Sequence, residues 1–264
     1  MKPFLFHIGS LGVPAFFFMI MIGSLAGTFY AYHRAKREHG VDPVVMLDFG
    51  IIAIIASVIG SRIVHILVEN PSYYWEDPIR VFYFWQGGFV SLGAIIFSFI
   101  GLLIYLRIRK LSTWRYMDLI MLGVPITMFF VRLGCLCAGC CYGKPTDFFL
   151  HLTFTDPAGA AGALHPGMPL LPSQPTFMLN AIVMFFVLQL VYKYRHYYGQ
   201  VLATFFMYYG VTRFFIEFMR GDEDRGLWFN HTLSSGQIAM ILFFLTGLVM
   251  HLVLRRRQAI STKD

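Results

Sequence analysis

Charge is scarce in this chain, and cysteine is missing from all of it except residues 135–141. Only 13% of the 264 residues are charged, 57% are hydrophobic, and the mean hydropathy is +0.64. So little charge excludes an ordinary soluble domain and points to a protein that crosses a membrane several times. Acidic residues are the rarer sign, 14 against 21 basic. The excess of +7 does not imply a nucleic-acid partner, because the basic residues alternate with apolar stretches instead of forming a stripe. Cys135, Cys137, Cys140 and Cys141 lie too close together for a disulfide framework, which needs staples spread along a small secreted chain. No internal repeat is visible, and none of the 9 histidines falls into a spaced pair that marks a metal site.

Apolar stretches occur near 11–32, 46–68, 88–107, 116–137, 176–194, 200–218 and 236–254. Each is close to the roughly 20 residues that a bilayer requires. They predict an all-α membrane protein of seven transmembrane helices, a single domain over 1–264. The first stretch is too long for a signal-peptide core and lacks a small-residue cleavage site, so it counts as a helix. Alternate connections, starting with 33–45 and ending with the tail from 255, hold thirteen Lys and Arg, against five on the opposite set. Positive charge concentrates on the cytoplasmic side, which predicts a cytoplasmic C-terminus and an outer N-terminus. Outside, 69–87 carries Tyr73, Tyr74, Trp75, Tyr83 and Trp85, residues suited to the headgroup layer. Pro145, Pro157, Pro166, Pro169, Pro172 and Pro175 keep 142–175 from spanning, so it reads as a small periplasmic cap.

Three arginines, Arg62, Arg132 and Arg213, fall within spans. Charge at that depth is expensive and by default marks a functional site. Arg213, Glu217 and Arg220 stand at i, i+4 and i+7, one helix face, with the carboxylate between two guanidiniums. Two readings of that face stand open: an ion pair locking helices together, or an anion site in which the planar fork of arginine receives phosphate. If 135–141 continues the preceding helix, Cys137 shares a face with Cys140 and Cys141 while Cys135 points nearly the other way. Thiols near arginine gain thiolate character, which suits nucleophilic or redox chemistry. Plain packing also fits, as does a Cys137–Cys140 bridge in an oxidising compartment. CxCxxCC without a nearby histidine is not a standard zinc spacing, so no metal and no cofactor are expected.

In order along the chain come Phe6-His7-Ile8-Gly9, Gly60-Ser61-Arg62, Glu69-Asn70-Pro71, Trp85-Gln86-Gly87-Gly88, Asp118 with Pro125, Arg132-Leu133-Gly134 followed by Gly143, Pro172-Ser173-Gln174, and Arg213 to Arg220. This ordered set resembles the bacterial prolipoprotein diacylglyceryl transferase family over nearly the whole chain. The resemblance implies seven spans with an outer N-terminus in the bacterial inner membrane. It also implies transfer of a diacylglyceryl group from phosphatidylglycerol, or a related anionic phospholipid among the membrane lipids, to the thiol of a lipobox cysteine in a secreted precursor. Glycerol phosphate would leave. Arg132, Gly143, Arg213 and Glu217 resemble the positions that hold the lipid phosphate, and Arg62, Gly87, Gly88 and Arg220 join them as substrate-binding candidates. The family's histidine after the Gly-Gly pair stands here as Leu92, its first-span tyrosine as Phe16, its asparagine after Arg-x-Gly as Cys135, and its glutamate as Cys140. Phosphate-binding groups are thus kept while acid–base groups are replaced, the pattern of a cysteine-rich branch. Arg132, Cys140, Arg213 and Glu217 are the catalytic candidates, with Cys135 and Cys137 beside the substrate. Besides the transferase, a non-catalytic lipid-binding or lipoprotein-handling membrane protein and a thiol–disulfide oxidoreductase remain open at this point.

Overall fold

The structure is a computed structural model that describes residues 3–8, 11–69, 71–83, 90–221, 227–228 and 233–261. In chain order the elements are β1 (Phe4–Ile8), β2 (Leu11–Pro14), α1 (Ala15–Ala35), α2 (Val44–Val64), α3 (Pro71–Glu76), α4 (Ser91–Ile108), α5 (Thr113–Ala138), α6 (Ala160–Leu164), α7 (Ser173–Lys193), α8 (Gln200–Ile216), β3 (Leu227–Trp228), β4 (Leu233–Ser234) and α9 (Ser235–Ser261). They divide into two compact units, Met1–Ala31 with Met117–Asp264, and Tyr32–Tyr116.

Among the described residues, six helices are long and apolar enough to cross a bilayer: α1, α2 with its continuation to Val68, α5, α7, α8 with its continuation to Met219, and α9 as far as Arg257. The remaining apolar stretch, 88–107, folds as α4. Its 18 residues reach about 27 Å at the helical rise, just under the roughly 30 Å of a hydrocarbon core. The first stretch departs from expectation at its start. Residues 11–14 form β2, paired antiparallel with β1, and the helix begins only after Pro14. Proline lacks an N–H for an internal helical bond, so it is a natural boundary, and Ala15 N donates to Pro3 O at 2.8 Å.

In the first unit α1 meets α5 backbone to backbone. A Cβ on Gly123 would lie 2.2 Å from Gly27 O, and Thr127 Oγ1 donates to Gly23 O at 3.0 Å. Small residues four apart, here Gly23 and Gly27, permit that approach where lipid offers no hydrophobic drive. Asp118 on α5, 1% exposed, accepts from Gly199 N at 2.8 Å and Leu202 N at 3.0 Å. It therefore caps α8 from a neighbouring helix, filling the orphan donors of the first turn and facing the positive end of the helix dipole.

The segment 142–175 folds without spanning. Leu170 pairs with both Pro145 and Leu152, and Tyr142, Phe154, Ala161 and Leu170 form a small buried core with Leu136 and Leu152 against it. In the second unit α2 packs on α4 through Gly60 and Gly93, and Tyr105 donates to Asp48.

Replacing Asp118 with Ala leaves two buried N–H groups without an acceptor. The expected loss is about 2–6 kcal/mol of stability at roughly 1–3 per orphaned group, with a smaller loss for Asp118→Asn, which keeps one acceptor oxygen. Thermal unfolding of the detergent-solubilised protein checks both.

Candidate active site

The C-terminal end of α8 brings three ionic residues together. The helix runs to Ile216 and tightens into a 3-10 turn over Glu217–Met219, after which Arg220 is extended. Arg213 pairs with Glu217 one helical turn away. The tightened turn lets Arg220 Nη1 reach the same oxygen, Glu217 Oε2, at 3.5 Å. Ser234 Oγ donates to the other oxygen at 3.3 Å. Ser234 is itself fixed by a capping box at the start of α9: Gln237 N donates to its Oγ at 3.2 Å, and its own N–H donates to Gln237 Oε1 at 2.9 Å. Glu217 is 3% exposed, a depth at which a carboxylate needs donors around it.

Arg132, in the penultimate turn of α5, lies with its Cζ 3.8 Å from the centre of the Phe177 ring, and Arg213 Cζ is 4.9 Å from the same ring. Phe177 is buried on the first turns of α7 and offers its π-electrons to both guanidiniums. Among the described residues Arg132 makes no hydrogen bond or ion pair with a carboxylate, and it lies within electrostatic reach of Arg220 and of Cys135 and Cys141. Arg213 and Arg220 therefore share the carboxylate of Glu217, and Arg132 shares the Phe177 ring with Arg213.

The cysteine run does not continue the helix. α5 ends at Ala138 and Gly139 takes a left-handed φ of 69°, so that Cys140 N turns back to donate to Cys135 O at 3.1 Å, the six-to-one bond of a Schellman cap. Cys141 is also left-handed, with φ 54°, an uncommon state for a residue with a side chain. Two buried side chains at the start of α7 fasten this turn: Ser173 Oγ donates to Cys141 O at 2.7 Å and Gln174 Nε2 to Cys140 O at 3.0 Å. As a result the sulfurs of Cys135, Cys140 and Cys141 lie within 4.8 Å of one another. The helical reading, which grouped Cys137 with Cys140 and Cys141 and turned Cys135 away, is thereby reversed. Cys137 instead lines a small crevice with Pro3, Phe154, Thr155 and Asp156. All four are free thiols, so the Cys137–Cys140 bridge is not formed. Cys141 is held well below the ordinary thiol range by hydrogen bonds from the Cys135 and Cys140 thiols, with Arg132 and Arg220 adding to the effect. Cys140 is pushed the other way by its bonds to Cys135 and Cys141 and by burial.

Gly143 sits where no side chain fits. A Cβ there would meet Leu171 O at 2.2 Å, and its backbone bridges to Arg220, with Gly221 N donating to Tyr142 O at 3.0 Å and Lys144 N to Met219 O at 2.9 Å. Its bareness thus fixes the strand that carries Arg220. Arg62 belongs to the second unit, where it donates to the carbonyls of Arg80, Val81 and Tyr83 at 2.7, 3.2 and 3.2 Å and packs on Tyr74. Gly87 and Gly88 lie outside the described residues, as do Trp85 and the side chain of Leu92. Sequence reasoning did not single out Phe177, one of 28 phenylalanines. Ser234 carries a readable signal, since Ser-x-x-Gln before an apolar run is a capping box.

The chain is 28% identical over 258 residues to the phosphatidylglycerol–prolipoprotein diacylglyceryl transferase of Clostridium tetani, covering 98% of this chain and 100% of the relative. It is 29% identical over 255 residues to the transferase of the same name from Pasteurella multocida, covering 95% and 91%. With the second such transferase of Clostridium perfringens it shares 28% over 253 residues, covering 95% and 94%. Residues 3–253 match the family model described as prolipoprotein diacylglyceryl transferase. With the guanidinium cluster and the Ser-Gln latch falling inside that match, the chain belongs to the prolipoprotein diacylglyceryl transferase family.

Proposed function

We propose that this protein moves the diacylglyceryl group of phosphatidylglycerol onto the thiol of a lipobox cysteine in a secreted precursor, working in the bacterial inner membrane with seven spans, its N-terminus outside and its C-terminus cytoplasmic. The observation that carries this reading is the gathering of buried guanidiniums: Arg213 and Arg220 on the carboxylate of Glu217, and Arg132 beside Arg213 on the Phe177 ring. A phosphodiester carries one negative charge, and the departing glycerol phosphate carries two. Guanidiniums gathered in an apolar bundle favour the state with more anionic charge, which lies on the product side of the C–O bond to be broken. Preorganised cations that meet charge as it develops are usually the largest catalytic term, and the fork of arginine suits phosphate oxygens.

Glu217 is a positioning residue in this scheme. Arg213 and Arg220 reach one of its oxygens and Ser234 the other, which aims the guanidiniums. Gly143 acts through the backbone that carries Arg220. Cys140, with Cys135 and Cys141, lies on the acceptor side, joined to the phosphate side by Arg132.

With labelled phosphatidylglycerol and a lipobox peptide, the purified protein should release glycerol phosphate, which separates transfer from simple lipid binding. Arg213→Gln and Arg132→Gln should each slow release by about 100- to 1,000-fold, the scale of losing one preorganised donor, while the protein still enters the membrane. Wild-type rates in both would remove the phosphate-site assignment.

Orientation is tested separately. A reporter fused to the C-terminus should read as cytoplasmic and one inserted at Gly159 as external, given the thirteen-to-five bias of basic residues in the connections. The reverse labelling would refute the orientation.

A further inference from the structure

We propose that Cys135, Cys140 and Cys141 hold one thiophilic dication of the zinc class, and that its fourth coordination position takes the acceptor thiol. Three observations carry the site. The three sulfurs already lie within 4.8 Å of one another. Zinc–sulfur bonds of about 2.3 Å set a tetrahedral edge of about 3.8 Å, so side-chain torsions alone can close the set. Next, the backbone beneath the sulfurs is built and fastened. Cys135 accepts the Schellman bond from Cys140, and the buried side chains of Ser173 and Gln174 hold the two following carbonyls. Lastly, Cys141 keeps a left-handed backbone that its side chain disfavours, and strain of that kind persists where the surroundings over-determine it, commonly at ligand clamps.

The ligand set and its surroundings specify the ion. Sulfur donors without carboxylate select soft ions over magnesium, calcium or manganese. Three thiolates and a dication sum to one negative charge, and the guanidiniums of Arg132 and Arg220 lie within electrostatic reach of Cys141. Three protein ligands with an open position is the catalytic form of a zinc site, whereas structural sites are closed by a fourth.

The second half of the inference rests on the transferase reading. A thiol that coordinates such an ion is deprotonated outright, its proton passing to water. The bound sulfur then forms a C–S bond to the terminal glyceryl carbon. The C–O bond to phosphate breaks, and its electron pair stays on the phosphate oxygen beside Arg132, Arg213 and Arg220. The resulting thioether is neutral, binds the ion weakly and leaves. This chemistry supplies thiol activation where Leu92 stands in place of the family's histidine.

The test uses the full-length protein in detergent with a thiol-free reductant. After chelation, cobalt(II) should produce an intense sulfur-to-metal charge-transfer band at one equivalent per chain, and zinc should displace it. Cys135→Ser, Cys140→Ser and Cys141→Ser should each lose the band and Cys137→Ser should keep it. In case a serine variant fails to fold, alkylation of the wild type gives the same answer: zinc should protect three thiols and leave Cys137 reactive. No band, or labelling unchanged by zinc, overturns the site. Glycerol phosphate release should stop with a chelator and return with zinc. Release that ignores the chelator, while cobalt binds, overturns the acceptor role. Metal binding with no release under any condition refutes the transferase reading and leaves the metal site standing.

Discussion

Arg213 and Arg220 meet on the carboxylate of Glu217 inside an apolar bundle, with Arg132 one aromatic ring away, and the electrostatic demands of that meeting govern the structure around it. A buried pair does not stabilise a fold simply by existing, but removing one partner costs roughly 3–5 kcal/mol because the other charge is left uncompensated. Three successive helices accordingly meet at this point. α8 tightens to present Glu217, the capping box of α9 supplies Ser234, and α7 lends Phe177.

Position along the helices is set at two levels. Asp118 fixes the start of α8 against α5, so the arginine four turns further along stands at a defined depth. At the other end of α5, the Schellman turn and the Ser173–Gln174 latch fix the start of α7 relative to the cysteines. Phe177, one helical turn beyond Ser173, is thereby set beneath Arg132.

The spans were legible because hydropathy is a one-dimensional property, and six of them stand nearly where their composition put them. Arg213, Glu217 and Arg220 were legible for a similar reason, since their spacing is a helical period that the fold largely keeps. The start of the first helix was not, because residues 11–14 are apolar enough for a span yet pair with β1. The grouping of the cysteines was hidden more deeply. It depends on the sign of φ at Gly139 and Cys141, which reverses the face that a helical wheel assigns. Phe177 was invisible because nothing in its neighbours marks it among many phenylalanines.

The turn at Gly139 also bears on how such a site is inherited. The three sulfurs belong to cysteine, yet their convergence comes from backbone handedness. An L-residue with a side chain at position 139 would disfavour the left-handed φ without touching a single sulfur. A descendant of this chain could therefore keep all four cysteines and still lose the triad, and the stereochemistry of one glycine, more than the count of thiols, would distinguish a working lineage from a relic.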